Sequence, residues 1–356
     1  MKISRINWQI VICSISLLSL GILTIYSSSI ELGLQQFIFA VFGLLLFYFF
    51  SQLDYRLLKP FVYPAYFFIL TLLVIVFILG FETRGSARWI SLGLFNLQPS
   101  ELIKPVVIFF LAYFWQNHIP SWRNIALSFF WLLPALILIF KQPDLGTSLT
   151  MVAIWLGILF AARISFKKIL ALLLVFALIV PIGWSILHGY QKERVIGFLS
   201  PNNDPLGVGY NLIQSTIAVG SGGLFGRGLG QGTQSRLQFL PEYRTDFIFA
   251  SIAEEMGFLG AMLITLFYLF LIIYFLKLSS SSADSLGFLF TIGVISMLLF
   301  QVVINIGMNI GLFPITGITL PLVSYGGSSV VATLVSFGIL SSIAKHSQTG
   351  YNIHHD

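Results

Sequence analysis

The residues best placed to do chemistry lie in one stretch, Arg236 to Gly257, where six charged side chains occur in a chain that is only 9% charged. Asp246 is the most informative of them because an apolar run begins directly after it, at Phe247. A carboxylate at the border between water and lipid could act as a base or a binding group. With Thr245 it could equally cap the next helix, since both residue types accept hydrogen bonds from first-turn N–H groups.

The spacing of the carboxylates in this stretch bears on the type of reaction. Glu254 follows Asp246 by eight residues, which is about 12 Å along a helix. The paired acid and base of a glycosidase lie roughly 5–9.5 Å apart, and Glu255 would point about 180° away from Asp246. We therefore expect Asp246 to act alone as a base, with Glu254 and Glu255 shaping a cavity or meeting neighbours from other helices.

A second pair of charges lies inside an apolar run. Glu101 and Lys104 are spaced i,i+3, so they share one face of a helix and can form an ion pair. Charges within a membrane are costly and usually face a partner or a cavity. The pair is either a purely structural ion pair or part of the lining of a substrate cleft.

Two further polar segments flank the apolar runs. Arg84 and Arg88, next to Trp89, offer guanidinium groups that suit pyrophosphate, although both could instead extend towards lipid headgroups. Lys141 and Asp144 form a second polar turn, in which Asp144 could be only a helix cap for the run from Leu145.

Glycine and proline interrupt two regions. In 311–327 they break the last apolar region around Ser324 and Tyr325, which could line the site or allow close helix packing. The glycine-rich run 220–232 lacks the Gly-Lys-Ser/Thr ending of a nucleotide-binding loop, so we expect a flexible or re-entrant loop. The single cysteine, Cys13, permits no internal disulfide, and no zinc or haem spacing is present.

The composition of the chain predicts the type of secondary structure on which these residues lie. Hydrophobic residues make up 57% of the 356, and the mean hydropathy is +0.93. This predicts an all-α polytopic membrane protein that forms a single domain over 1–356. A membrane-spanning helix needs about 20 apolar residues. The candidate runs lie near 8–28, 35–51, 61–80, 102–117, 125–140, 146–162, 168–188, 247–276, 285–311 and 321–344.

The positive-inside rule predicts the orientation. With both termini in the cytoplasm, the segment 189–246 becomes a large extracytoplasmic loop between the seventh and eighth runs. Arg84, Arg88, Lys104 and Lys141 then oppose the rule, which makes them candidates for binding an anion. The basic residues on the cytoplasmic side would be Lys2, Arg5, Arg56, Lys59, Arg123, Arg163, Lys167, Lys168, Lys277 and Lys345.

Ordered motifs along most of the chain carry a family resemblance. The sequence resembles the SEDS family of bacterial cell-wall polymerases, and within it the RodA branch. The motifs are Leu240-Pro-Glu-x-x-Thr-Asp-Phe-Ile-Phe-Ala250, Ala253-Glu-Glu-Met-Gly257, Arg84-Gly-Ser-Ala-Arg-Trp-Ile, Gln98-Pro-Ser-Glu-Leu-Ile-Lys104, Gln142-Pro-Asp-Leu-Gly-Thr-Ser-Leu149, Asp204-Pro-Leu-Gly207, Gly232-Thr-Gln-Ser235 and Pro321-Leu-Val-Ser-Tyr-Gly-Gly-Ser-Ser329. The family usually has His where this chain has Arg244, which puts in doubt any imidazole role there.

The resemblance implies a peptidoglycan glycosyltransferase of the bacterial cytoplasmic membrane that polymerises lipid II during cell elongation. Asp246 would be the general base, with Glu101 and Lys104 in a central cavity. Arg84, Arg88 and Lys104 would neutralise the leaving pyrophosphate, with or without a divalent cation such as Mg²⁺ or Mn²⁺. The implied partners are a class B penicillin-binding protein and other membrane proteins of the elongation complex; no nucleic acid is expected. The alternatives are a lipid II flippase, a division or sporulation polymerase, and a catalytically silent scaffold.

Overall fold

A computed structural model describes residues 7–79, 81–83, 86–91, 93, 96–186 and 189–351. Arg84, one of the predicted site residues, lies outside the described residues. The described chain is mainly helical, because main-chain N–H and C=O groups in lipid must be satisfied within each segment. The helices are α1 Trp8–Ser28, α2 Ile30–Gln52, α3 Val62–Leu79, α4 Pro99–Gln116, α5 Trp122–Lys141, α6 Leu145–Ala161, α7 Phe166–Ile186, α8 Gly189–Leu199, α9 Tyr210–Ser221, α10 Thr233–Arg236, α11 Ile248–Ser280, α12 Ser285–Asn309 and α13 Gly327–Tyr351.

Seven of the described helical segments are long and apolar enough to cross a membrane. They correspond to α1, α2, α3 with the 3₁₀ turn Tyr55–Phe61 before it, α5, α11, α12 and α13. Helix α6 is apolar but shorter, and α4 and α7 overlap the remaining two predicted runs. The chain is therefore a helical membrane protein, as its composition predicts.

The segment between α3 and α4, which lies between two of the predicted apolar runs, adds a small sheet to the helical fold. Three short antiparallel strands lie there: β1 Phe81–Thr83, β2 Ser86–Ser91 and β3 Asn96–Leu97. Strand β2 pairs with both others, for example Ile90 with Leu97. This segment lies outside the apolar runs, and its polar, glycine-containing sequence does not favour a helix. Pairing between neighbouring strands satisfies its main-chain N–H and C=O groups instead.

The segment 189–246 also has more structure than the term loop suggests. It contains α8, α9 and α10 and the 3₁₀ turn Pro201–Asn203. Asp204 organises the turn that follows, because its carboxylate accepts from the main-chain N–H groups of Gly207 at 3.0 Å and Val208 at 3.3 Å. This explains the Asp204-Pro-Leu-Gly207 motif as a turn that folds the segment back towards α9.

Helix α11 is broken at Gly257, whose φ of 68° and ψ of −165° are not helical. The glycine-rich run enters this break: the N–H of Phe258 donates to Gly223 O at 2.8 Å, and that of Gly228 donates to Glu255 O at 3.0 Å. A Cβ on Gly257 would lie 2.3 Å from the nitrogen of Gly226. The run is therefore an inserted, ordered segment that pairs with the broken helix.

The packed centre of the bundle is formed by α4, α12 and α13. Helix α4 buries most of its residues, including the charged pair Glu101 and Lys104. Helix α12 packs against α4, with Phe290 edge-on against Phe109, and α13 packs along α2. These central helices and the connection between α12 and α13 place polar groups around Asp246.

Candidate active site

A cavity of about 260 Å³ lies between α8 and the turn that carries Asp246. Asp246 follows a tight turn in which Glu242 O accepts from the N–H groups of Thr245 at 3.0 Å and Phe247 at 3.2 Å. The charged residues described in the cavity wall are Glu193 and Arg194 of α8, Glu242 and Asp246. Gly197, Phe198, Gly207, Val208, Asn211, Leu212, Pro241, Phe247 and Ile315 complete the described lining.

Two asparagines of α12 hold the main chain of Asp246. The side-chain amides of Asn305 and Asn309 donate to Asp246 O at 3.0 and 3.1 Å. Asn305 also donates to Ile318 O at 2.7 Å. Both asparagines are fully buried, where hydrogen bonds are not weakened by competition with water. The position of Asp246 is thus set by a neighbouring helix and does not depend on its own turn alone.

Asn309 also contributes to the start of α11. The helix begins after Phe247, which makes no side-chain cap. The N–H of Ala250 in its first turn donates to Asn309 Oδ1 at 3.1 Å, and Thr245 Oγ1 donates to Glu242 O at 3.2 Å. A residue of another helix therefore caps one of the first-turn N–H groups beside Asp246.

Ser324 and Tyr325 contact the same turn from the other side. Ser324 Oγ donates to Thr245 O at 2.6 Å, and the N–H of Tyr325 donates to Arg244 O at 2.9 Å. The Tyr325 hydroxyl donates to Gln35 at 2.7 Å, which links the turn to α2. In the described structure these two predicted substrate-binding residues position the main chain beside Asp246.

Arg244 occupies the position where the resemblance suggested histidine. Its guanidinium donates to the side chain of Ser28 at 2.9 Å and to Ser28 O at 3.2 Å, and it packs over the ring of Tyr243. An imidazole could not make both contacts in the same way, because a guanidinium presents several N–H donors in one plane. Arg244 therefore links the Asp246 turn to the end of α1 by hydrogen bonds.

Gly317 brings the cavity wall close to the carboxylate. A Cβ on this glycine would lie 3.5 Å from Asp246 Oδ2 and 3.6 Å from Arg194 Nη1. Its φ of 74° is in the left-handed region, where a side chain is strained. Asp246 and Arg194 therefore lie against the same point of the connection between α12 and α13.

Glu254 organises a neighbouring helix. Its buried carboxylate accepts from Gln234 N at 2.9 Å, from Ser235 N and Oγ at 3.2 and 3.0 Å, and from Thr233 Oγ1 at 3.2 Å. These donors form the start of α10, so Glu254 acts as its cap from outside. The Gly232-Thr-Gln-Ser235 motif is thereby explained as the partner of Glu254.

Glu101 and Lys104 form the ion pair that their spacing predicts, with Lys104 Nζ 2.5 Å from Glu101 Oε2. Only 6% of Glu101 and 2% of Lys104 is exposed. Each charge is thus compensated by the other in the centre of the bundle.

Asp144 and Lys141 have different environments. Asp144 caps α6 through Thr147 N at 3.1 Å, and its other oxygen accepts from Ser100 at 3.3 Å. The cap interpretation of Asp144 is therefore correct. Lys141 is exposed, with its ammonium 5.7 Å from the ring centroid of Phe77. The start of α6 nevertheless adjoins the site, because Gly146 packs against Thr316 O.

Comparison with known families places almost the whole described chain in one family. The model of the family described as "Cell cycle protein", which covers FtsW, RodA and SpoVE, matches residues 6–349. The chain belongs to this family. The match includes Asp246 and all the other predicted site residues.

Curated relatives within the family cover most of the chain. Peptidoglycan glycosyltransferase MrdB of Escherichia coli is 39% identical over 85% of this chain and 83% of its own length. Stage V sporulation protein E of Bacillus subtilis is 37% identical over 95% of this chain and 97% of its own length.

Solved structures of the family have the same fold. A chain of a peptidoglycan synthase complex that coordinates polymerisation and crosslinking is 34% identical, with a TM-score of 0.83 over 96% of this chain and 98% of that one. The crystal structure of RodA from Thermus thermophilus is 29% identical, with a TM-score of 0.72 over 96% of this chain and 97% of its own.

Several residues at the site escaped the sequence-based prediction. Glu193, Arg194 and Glu242 looked like ordinary charges of a long loop. Asn305 and Asn309 carried a usable signal, because two amides spaced i,i+4 in an apolar run lie on one helical face and must find partners there. Only the fold shows that their shared partner is Asp246.

No group of three or more His, Cys, Asp or Glu that could hold a metal ion occurs among the described residues.

Arg88 holds the turn before α6. Its Nε donates to Gln142 O at 2.7 Å, and its Nη2 donates to Pro143 O. Arginine has five N–H donors, so these contacts leave donors that could bind pyrophosphate.

Arg88→Lys keeps the charge but cannot span both carbonyls, and we expect it to lower polymer yield about as much as Arg88→Ala.

The measurement is polymer yield at limiting substrate, with thermal melting as the control for folding. Arg123→Ala, which removes an exposed charge at the start of α5, should leave both values near those of the wild type. Full yield from both Arg88 variants would show that neither the turn contact nor an anion contact of Arg88 matters for polymerisation.

Proposed function

We propose that this chain joins the disaccharide units of lipid II, an undecaprenyl-pyrophosphate-linked disaccharide pentapeptide, into glycan strands, and that Asp246 is the general base. The observation that carries the proposal is that the Asp246 carboxylate lies in a cavity wall, while Asn305, Asn309, Ser324 and Tyr325 hold the main chain of residues 244–246. Such support from several elements keeps a reacting group in one geometry.

The chain is a peptidoglycan glycosyltransferase. Relatives that are 35–39% identical are named for this activity, including the MrdB proteins of Escherichia coli and Helicobacter pylori. Its similarity to RodA supports a role in cell elongation. We therefore favour the elongation branch over the division and sporulation branches.

The proposed step is a displacement at the anomeric carbon of the donor. A hydroxyl oxygen of the acceptor sugar forms the new glycosidic bond while the bond from that carbon to the pyrophosphate oxygen breaks. Asp246 takes the hydroxyl proton, and polyprenyl pyrophosphate leaves with the bonding electrons. Pyrophosphate needs no protein acid when its charge is neutralised, which agrees with a single catalytic carboxylate.

The cations that would stabilise the leaving group remain a prediction. Arg84 lies outside the described residues, Arg88 retains N–H donors, and Lys104 has Glu101 as its partner. If a divalent cation takes part, its ligands would come largely from the pyrophosphate, because Mg²⁺ commonly binds substrate phosphates with only one or two carboxylates. No step of the proposed mechanism passes through that cation.

The decisive experiment uses purified protein and fluorescent lipid II. Polymer is scored on a gel, and lipid translocation is scored separately in sealed vesicles. We expect polymer without translocation. Translocation without polymer, in a preparation whose substrate is consumed by a known polymerase, would support the flippase alternative.

We also propose the bacterial cytoplasmic membrane as the location, with ten spans, both termini in the cytoplasm and 189–246 outside. A cysteine at exposed Asn202 should react with an impermeant thiol reagent in intact cells, whereas a cysteine at exposed Ser280 should react only after lysis. The native Cys13 is buried and gives little background. Reaction at Ser280 together with protection at Asn202 would reverse the proposed orientation.

The proposed partner is a class B penicillin-binding protein, with other membrane proteins of the elongation complex around it. A solved relative belongs to a complex that couples polymerisation to crosslinking, which supports this proposal. Co-purification from membranes should recover such a transpeptidase, and adding it should raise the polymerisation rate. A rate unchanged by every transpeptidase of the host would count against the partnership.

A further inference from the structure

We infer that the cavity between α8 and Asp246 binds the acceptor sugar, a neutral amino sugar, and that the pyrophosphate of the donor lies outside it. The inference rests on the proposed function, because it divides the two substrates around Asp246. It assigns a ligand class to a particular set of residues: Glu193, Asn211, Glu242 and the Asp246 carboxylate.

The charge of the cavity is the first argument. Among its described lining residues, three carboxylates (Glu193, Glu242 and Asp246) accompany one guanidinium, that of Arg194. Arg194 lies close to Asp246 and also donates to Ile315 O at 3.4 Å. Pyrophosphate is recognised by an excess of cationic donors. A site with an excess of carboxylates repels it.

The chemistry of the lining suits a sugar. Sugar hydroxyl groups donate hydrogen bonds, and carboxylates are strong acceptors for them. The side-chain amide of Asn211 can both donate and accept, and Phe198 and Phe247 add apolar surface. This mixture resembles small-molecule sites in which a few polar groups fix the orientation of the ligand within an apolar wall.

The size of the cavity limits what can enter. Its volume of about 260 Å³ is below the roughly 300–1,000 Å³ of sites for drug-sized ligands. It fits one sugar ring better than a disaccharide with its peptide and pyrophosphate. A ring seated there would present a hydroxyl to Asp246, while the rest of the acceptor remained outside.

The outer wall is built to keep its shape. The carboxylate of Asp204 holds the turn at Gly207 and Val208. Gly197 of α8 lies so close to this turn that a Cβ would be 2.4 Å from Val208 O. The Asp204-Pro-Leu-Gly207 motif and Gly197 thus fix α8, and with it Glu193, over the Asp246 turn.

The test is a binding measurement that needs no catalysis. A cysteine replaces Val208, which lines the cavity without a polar side chain, and its reaction with a thiol reagent is followed in the purified full-length protein. A neutral disaccharide of N-acetylglucosamine, at twice its dissociation constant, should slow the reaction about threefold by mass action. Inorganic pyrophosphate, with or without Mg²⁺, should not slow it. A cysteine at Asn202, which is not among the lining residues, should react at one rate throughout.

A pair of neighbouring substitutions in α8 tests the role of Glu193. In the Val208→Cys protein, Glu193→Ala should raise the disaccharide concentration needed for protection roughly tenfold, the effect of losing one hydrogen bond to a charged group. Lys192→Ala, which removes a charge outside the described lining, should leave that concentration unchanged. Pro241→Cys, at an exposed lining position, serves as the reporter if Val208→Cys does not fold.

Protection by pyrophosphate overturns the inference and makes the cavity the leaving-group site. Absence of protection by the disaccharide with both reporters also overturns it. The proposed function fails separately, through the polymerisation assay with Asp246 variants. Disaccharide protection in a protein that makes no polymer would support sugar binding in the cavity while contradicting the proposed reaction.

Discussion

Asp246→Asn is expected to abolish measurable glycan polymerisation while leaving the protein folded. General-base catalysis typically contributes about 10²–10⁴-fold to a rate, and an amide cannot take the proton of the attacking hydroxyl. The contacts from Asn305, Asn309, Ser324 and Tyr325 act on the main chain of residues 244–246, so the substitution preserves them. Polymer yield on a gel and thermal melting of the same preparation measure the two effects.

Two further variants sharpen this result. Asp246→Glu should retain little activity, because an added methylene moves the carboxylate within a cavity of fixed shape. Asp54→Asn, a carboxylate at the start of the turn before α3, should polymerise normally and controls for loss of charge. Near wild-type polymerisation by Asp246→Asn would make Glu193 or Glu242 the next candidate for the base. Glu101 is paired with Lys104, and Glu254 accepts hydrogen bonds from the start of α10.

Lys104→Met should destabilise the protein more than any surface substitution. The ammonium of Lys104 is almost completely buried against Glu101, and removing one partner of a buried ion pair leaves an uncompensated charge at a cost of about 3–5 kcal/mol. We therefore expect poor recovery of folded protein and a clearly lower melting temperature. Lys141→Met is the matched control, since Lys141 is exposed.

The double variant Glu101→Gln with Lys104→Met separates the two interpretations of this pair. It removes both charges, so its melting temperature should recover towards that of the wild type. Normal polymerisation by this folded variant would make the pair purely structural, and loss of polymerisation would place it in substrate binding. A Lys104→Met protein that melts like the wild type would contradict the expected cost of the unpaired carboxylate.

Local patterns were enough to predict features whose physical cause is local. The apolar runs predicted the helical membrane fold because each spanning segment must satisfy its own main chain. The i,i+3 spacing of Glu101 and Lys104 predicted their ion pair, and Asp144 before Leu145 predicted a cap. The motifs predicted the family and the glycosyltransferase activity, both confirmed by comparison with relatives.

Other features depend on contacts between residues far apart in the chain. Glu254 was predicted to shape a cavity or to meet neighbours from other helices, and only the fold shows that four donors from residues 233–235 surround its carboxylate. The glycine-rich run could be read only as a flexible or re-entrant loop, because its partner is the break at Gly257, which a single sequence does not reveal. The strands near Arg88 were missed because short polar strands lack a strong hydrophobic period.

The membrane fold, the family and the choice of Asp246 as the residue to test thus follow from hydrophobicity, spacing and motifs, which are properties of neighbouring residues. Three features needed the folded chain: Asn309 caps Ala250, α12 and the connection before α13 hold the Asp246 turn, and α8 covers the cavity. Side chains that are tens of residues apart in the sequence come together in one site only when the helices pack against each other. The charges that surround a carboxylate, and hence the ligand it can meet, are then set by the fold.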